Sequence, residues 1–343
     1  MKFSTQVLNN ARFPQALERV LAMERVGLDI VWVPESYGLD APTHLGYLAA
    51  KTERVQLGTG IISVFNRTPT LIAQTAAALD RLSGGRAILG IGASGPQVIE
   101  GWCGVPYTNT LSRLAETIDI VRQVWRRERV VHRGRAFEIP LREGMGTGLG
   151  KPLKLHVEPV RERVPIYVGA LGAKSVELTA AKADGWLPVL FVPEKAGDVW
   201  GEALAAGKAK RSPELGPLEI VAGGTVAIGE NVEHLRDRLR PALAFMLGGL
   251  GAKEKNFYNE LAARYGFERE ASIVQDHYLA GRKKDAEAAV PRALIEATSL
   301  IGPRSHVRER LAAYSEAGVT VIDVTPMGTQ PERVLAELKE LAA

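Results

Sequence analysis

The chain has one cysteine, Cys103, so no intrachain disulfide can form. Nothing in it asks for an oxidising compartment, and a cytoplasmic location is expected. Long apolar runs are also missing: nowhere do about 18 apolar residues follow one another, the length that a membrane-crossing helix needs. Met1 to Asn10 carry no apolar core of the kind an export signal has. Neither a membrane span nor a membrane partner is therefore expected. An excess of one charge is lacking as well, with 43 Lys+Arg against 39 Asp+Glu and a formal net charge of +4 over 343 residues. That balance gives nucleic-acid binding no support. Basic residues gather around Arg122 to Arg135 and Arg304 to Arg310, but acidic residues interrupt both runs, as on solvated helix faces. The six histidines, at 44, 132, 156, 234, 277 and 306, show no metal-ligand spacing, and no metal site is expected.

What the sequence does contain is 35 glycines, 19 prolines and a repeating rhythm. A short β-rich run is followed by a Gly- or Pro-marked turn, then by a helix with apolar residues three and four apart. Eight strands are expected, at Lys2 to Val7, Asp29 to Val33, Val55 to Ile62, Arg86 to Gly92, Val164 to Gly169, Asp184 to Val189, Glu219 to Ile228 and Thr320 to Thr325. Leu111, Leu114, Ala115, Ile118, Val121, Val124 and Trp125 form the clearest helical stripe. Another helix opens on Thr68 as N-cap with Pro69 behind it and stops at Gly84 and Gly85.

Eight strands alternating with helices, and no Pro- or Ser-rich linker between them, predict an α/β chain folded as one (β/α)8 TIM barrel over residues 1–343. Two stretches exceed the minimal unit, at 129–159 and 247–304, and are expected to be loop insertions at the rim. The first holds Gly144, Gly146, Gly148 and Gly150, but Met145 stands where a phosphate loop would need its first glycine, so a flexible lid or connector is expected.

In such a barrel chemistry collects where strands end and βα loops begin. Those positions here are rich in small residues: Gly60-Ile61, Gly92-Ala93-Ser94-Gly95 and Gly169-Ala170-Leu171-Gly172-Ala173-Lys174, with Glu35-Ser36-Tyr37 and Leu187-Pro188 beside them. Gly and Ala at successive strand ends let a flat ring approach the backbone closely and leave N–H groups free to donate. Gly169 to Lys174 leads straight into a helix, whose first N–H groups favour an anion such as a phosphate. A glycine-containing βα turn without ligand is the plainer alternative.

These residues resemble the bacterial luciferase-like flavin or deazaflavin oxidoreductases. The likeness runs through Gly27 to Glu35, Val55 to Ile62, Arg86 to Gly92, Pro165 to Ala170 and Ala183 to Pro188. Gly92 to Gln97, followed by Glu100 to Gly104, looks most like the branch that uses coenzyme F420, a deazaflavin; FMN is the alternative. The resemblance implies cofactor contacts from Glu35, Ser36, Gly60, Ile61, Gly92, Ala93, Ser94, Gly169 to Lys174 and Pro188. It also implies a cis peptide between Gly60 and Ile61 that supports the ring from behind, and a homodimer.

The likeness fails where F420-dependent sugar-phosphate and alcohol dehydrogenases carry an Asp-His pair, since Glu35-Ser36 stands there, and where they place an acid near the position of Gly95. Glu35 is left as the candidate catalytic residue, with Tyr37, Glu100 and His156 behind it. Hydride transfer between the cofactor and a small organic substrate is expected. Trp102 reads equally as a cofactor wall or as a loop anchor. Rival readings remain: an FMN-dependent monooxygenase; a Rossmann NAD enzyme from Gly90-x-Gly92-x-x-Gly95, with Pro96 directly after and no acidic strand end about 20 residues on; and a barrel that binds a cofactor without turnover. A hydrolase has no nucleophile elbow to work with.

Overall fold

Eight parallel strands close on one another in a ring in the computed structural model, which describes residues 1–7 and 12–342. They are β1 (Lys2–Gln6), β2 (Ile30–Val33), β3 (Gln56–Thr59), β4 (Ala87–Gly92), β5 (Ile166–Gly169), β6 (Gly185–Trp186), β7 (Glu219–Ile228) and β8 (Val321–Pro326). Ser4 lies beside Ile30, Leu57 beside Ala87, Leu89 beside Ile166, Tyr167 beside Gly185, Glu219 beside Gly185 and Val221 beside Val321. Lys2 beside Val321 closes the ring. This is the expected (β/α)8 barrel, and each of the eight strands falls inside or within one residue of its predicted run.

Large and small residues alternate across the barrel interior. Trp32 and Tyr167 fill its centre, with ring centroids 5.4 Å apart. A Cβ on Gly58 would fall inside the Trp32 ring, and one on Gly185 inside the Tyr167 ring. Glycine there is a packing requirement. Below them the Tyr167 hydroxyl donates to Glu219, which also pairs with Lys2 at 2.7 Å.

The helices form the outer layer, in the order α1 (Phe13–Arg25), α2 (Ala41–Ala49), α3 (Pro69–Leu82), α4 (Pro96–Gly101), α5 (Thr110–Trp125), α6 (Ala173–Lys182) and α7 (Pro193–Ala209) through the first six units. The capping chemistry of α3 is as expected: the Thr68 side chain accepts from the Leu71 N–H at 3.2 Å, and Gly84 and Gly85 follow the helix at φ 67° and 88°. Leu114, Ile118, Val121, Val124 and Trp125 of α5 are buried, and Trp125 donates its indole N–H to the Ala73 carbonyl at 3.0 Å, tying α5 to α3.

Three departures have physical reasons. The predicted run Val55 to Ile62 is one strand only to Thr59; the Gly60-Ile61 peptide is cis, and Ile62–Ser63 then pair with Ile91 and Gly92 of β4. The stretch 129–159 contains a hairpin, His132–Arg133 against Glu138–Ile139, wrapped around the Glu116 carboxylate, which accepts the N–H groups of Arg135, Ala136 and Phe137. The stretch 247–304 is largely helical, with turns from 257 to 297 and an additional strand, Ser299–Gly302, beside the end of β7. Its short helices are broken by glycines, Gly266 at φ 94° among them, which hides their periodicity. Among the described residues no helix is long and apolar enough to cross a membrane.

Candidate functional site

A cavity of about 1030 Å³ opens at the carboxyl ends of the strands. Its floor is backbone. Gly92, Ala93 and Ser94 come from the end of β4, and Gly169 to Lys174 from the end of β5 and the start of α6. The Ile61 side chain lies across both strand ends: a Cβ on Gly92 would sit 3.1 Å from Ile61 Cδ1, and one on Gly169 would sit 3.3 Å from Ile61 Cγ2. Contacts that close would make Ile61 give way by a few tenths of an ångström, so the glycines let Ile61 and a flat ligand share the floor. Ser94 keeps a left-handed backbone at φ 59°, and its carbonyl accepts the Tyr107 hydroxyl at 2.9 Å. That bond ties the β4 loop to the segment that leads into α5.

At the far side α6 begins directly under the cavity, with Gly172 as N-cap and no side-chain cap. The Gly172 carbonyl takes the N–H groups of Ser175 and Val176 at 3.0 and 2.9 Å. The N–H groups of residues 171–174 have no partner among the described residues, and Lys174 adds a positive charge. An anion fits there.

The structure thus brings Ser36, Ile61, Gly92, Ala93, Ser94 and the whole run from Gly169 to Lys174 to one cavity. Three other predicted residues stand apart from its lining. Gly60 lies behind, where its Cβ would come 3.0 Å from that of Trp32. Pro188 is flanked by Leu187 and Val189, which do line the cavity. Glu35 is turned away: Arg67 grips both its oxygens, at 3.0 Å for Nη2 and Oε2, and the Ala41 N–H donates to it at 2.9 Å. Bonding to Glu35, the largest influence, and the charge of Asp40 hold the Arg67 guanidinium even more firmly protonated than usual. Of the weaker candidates, Tyr37 lines the cavity, Glu100 accepts the Tyr107 N–H at 3.0 Å as a loop brace, and His156 is an exposed residue outside the lining.

Trp102 stands in the cavity wall, 69% exposed. Two features had no signal in the strand-end pattern. One is a wall supplied from the second insertion, by Gly249, Leu250, Lys255, Phe257 and Tyr258. The other is Asp323, on the inward face of β8 beside Ser4 and Gly223. Its carboxylate accepts from Ser4 Oγ at 2.7 Å and from Gln6 Nε2 at 2.8 Å. Burial pushes its pKa up, and those two bonds only partly offset the rise. An aspartate inside the apolar run Val319 to Val324 was the available clue. Nearby, the Trp32 indole N–H is buried with no partner among the described residues.

A family model described as luciferase-like monooxygenase matches residues 1–321. A Mycobacterium tuberculosis protein named for coenzyme F420-dependent oxidoreduction, Rv3520c, is 42% identical over 325 residues, covering 94% of this chain and 93% of the relative. The 5,10-methylenetetrahydromethanopterin reductase of Archaeoglobus fulgidus is 27% identical over 97% of this chain and 96% of its own. Among solved structures, the coenzyme F420 dependent tetrahydromethanopterin reductase of Methanopyrus kandleri superposes with a TM-score of 0.81 at 20% identity, covering 98% of this chain and 96% of that one. A barrel of this form, with a family match running from the first residue into the eighth strand, places the chain in the luciferase-like monooxygenase family.

Proposed function

We propose that this chain is a coenzyme F420-dependent oxidoreductase that passes a hydride between the deazaflavin and a small organic substrate. The observation that carries the reading is the 42% identity, over nearly the whole of both chains, to a relative named for that cofactor. The cavity is consistent with it. Gly92 and Gly169 leave room for a flat ring against Ile61, and the start of α6 with Lys174 suits an anionic tail. Ser36 and the Ala93-Ser94 backbone frame the ring in this reading, with Gly60 supporting Ile61 from behind, and Ala170 to Ala173 frame the tail. When bound, the deazaflavin supplies hydride chemistry at ring carbon C5 in two-electron steps.

The chain's own part is to bind, orient and exclude water. Ile61 would support the ring from below, and Leu187 would shield it from solvent. Glu35, in this reading, braces the β2 loop through Arg67 and does not exchange a proton with substrate. We further read residues 1–343 as one barrel domain with insertions, working in the cytoplasm as a homodimer. Exposed apolar residues at the end of α3 and in the first insertion, Leu82, Leu149 and Leu153, favour self-association.

Binding titrations decide the cofactor. Quenching of deazaflavin fluorescence by micromolar protein, with FMN bound at least tenfold more weakly, is the expected result. Tight FMN binding without deazaflavin binding replaces the reading with the monooxygenase one.

A further inference from the structure

Four large apolar side chains of the cavity wall, Tyr37, Trp102, Leu111 and Val189, stay 51%, 69%, 38% and 39% exposed. Leu111 belongs to the stripe that otherwise faces the α5 core. Leaving this much apolar surface open is unfavourable, and a bound apolar group would cover it. Charge is scarce in the same wall. Among the described residues no Asp, Glu, His or Arg lines the cavity, and its two cations are Lys174 and Lys255. Lys174 sits in the first turn of α6. Lys255 lies over the Phe257 ring at 5.1 Å and pairs with Glu260 at 4.0 Å. A charged group in the middle of the cavity would lose its water and gain no partner. Several polar groups of the wall are already engaged, the Tyr107 hydroxyl with Ser94, the Ser175 hydroxyl with Gly172 and the Gln97 amide with the Lys255 carbonyl, and those left over, the Ser36 and Ser94 hydroxyls and the first N–H groups of α6, belong to the cofactor floor in the proposed reading.

In the part of the wall given by the second insertion, one polar side chain is anchored from behind and has no partner among the described residues. Tyr258 is the second residue of the helix Phe257–Ala262, and its N–H donates to Asn256 Oδ1 at 3.0 Å. Asn256 is 3% exposed and donates in turn to the carbonyls of Met246 and Leu247 at 3.1 and 3.0 Å, so the start of the helix is anchored. The Tyr258 hydroxyl has no partner among the described residues, and burial raises its pKa, which keeps it a proton-bearing donor. A phenol in apolar surroundings gains most from one acceptor.

We infer that the substrate is an uncharged, mainly apolar molecule with a single hydrogen-bond-accepting oxygen, and that the Tyr258 phenol donates to that oxygen. The inference rests on the cavity described above being the substrate site of the proposed oxidoreductase.

Calorimetric titration of the F420-loaded protein tests it with three probes: trans-cinnamaldehyde, its 4-carboxy derivative, and trans-β-methylstyrene, which lacks the oxygen. The neutral aldehyde is expected to bind at least about tenfold more tightly than the carboxylate. Tyr258→Phe is expected to weaken the aldehyde about fivefold and to leave the hydrocarbon within about twofold. Equal or tighter binding of the carboxylate overturns the substrate class, as does a failure of all three probes to bind. An unchanged aldehyde affinity in Tyr258→Phe, or an equal loss for aldehyde and hydrocarbon, overturns the role of Tyr258. Near-ultraviolet circular dichroism of the variant confirms its fold, and Tyr258→Leu stands in if the Phe variant is perturbed. If F420 itself fails to bind, the cofactor reading falls, while the same probes titrated into the unloaded protein still decide the substrate class.

Discussion

Arg67 holds the carboxylate of Glu35 through both oxygens, 32 residues apart in sequence, and shares its other face with Asp40. Both partners are largely buried, at 14% and 8% side-chain exposure. Removing one partner of such a pair leaves the other short of hydrogen bonds. Glu35→Gln is expected to lower unfolding stability by about 2 kcal/mol. Urea denaturation measures that loss, and deazaflavin affinity within about twofold of wild type separates the brace from a cofactor ligand. A normal denaturation midpoint with abolished turnover would instead make Glu35 a proton carrier.

The cavity floor offers a sharper test. An added methyl at Gly92 would press on Ile61 at 3.1 Å and on the Gly169 carbonyl at 3.2 Å. Gly92→Ala is expected to weaken cofactor binding by about tenfold or more, because the floor must shift before a flat ring can lie on it. Fluorescence titration reads this directly, and an unchanged affinity would show that no ring rests there.

Gly58 carries a different burden. Its methyl would enter the Trp32 ring, which is itself buried at the barrel centre, so Gly58→Ala is expected to cost about 3 kcal/mol, as overpacking of a core does. Urea titration of the two glycine variants should rank Gly58→Ala as the less stable.

Asp323 makes stability depend on pH. Its folded pKa lies above the unfolded value, because burial disfavours the carboxylate more than Ser4 and Gln6 favour it. A raised acid is most compatible with the fold below the unfolded pKa, near 3.9, and its contribution declines as pH rises through the folded value. Asp323→Asn removes that decline. Denaturation midpoints of variant and wild type are expected to move apart from about pH 3 to pH 7 in favour of Asn. Parallel curves would mean that the carboxylate ionises without penalty.

The Glu116 carboxylate titrates in the opposite sense. Burial pushes its pKa up, but the N–H groups of Ala136, Phe137 and Arg135, with His132, outweigh that and leave it lowered. Its stabilisation of the hairpin is present above the unfolded pKa and is lost as pH falls. Glu116→Ala is expected to make 129–159 more sensitive to trypsin at pH 7, visible as faster cleavage after Arg133 or Arg135 than in wild type.

The barrel was legible because each strand and helix carries its own period, and the floor was legible because glycines at strand ends have few other uses. What the sequence concealed depends on distant partners. Glu35 looks like a free acid until Arg67 is placed beside it, and Ser36, its neighbour, is the one that reaches the cavity. The wall around Tyr258 was hidden because its short helices, interrupted by glycine, show no long stripe. Val55 to Ile62 reads as one apolar strand, and nothing in its composition marks where pairing passes from β3 to the short strand beside β4.

The helix that carries Tyr258 is spliced between the seventh and eighth strands and is pinned by Asn256 to Met246 and Leu247, where the insertion begins. Its hydrogen bonds stay within 246–271, and Leu247, Leu261 and Ala262 tie it to the core. A graft of residues 245–262 that keeps Leu247, Asn256, Asn259, Leu261 and Ala262 should therefore exchange the selectivity of the pocket while the scaffold beneath continues to fold, which makes this segment the natural cassette for redesign.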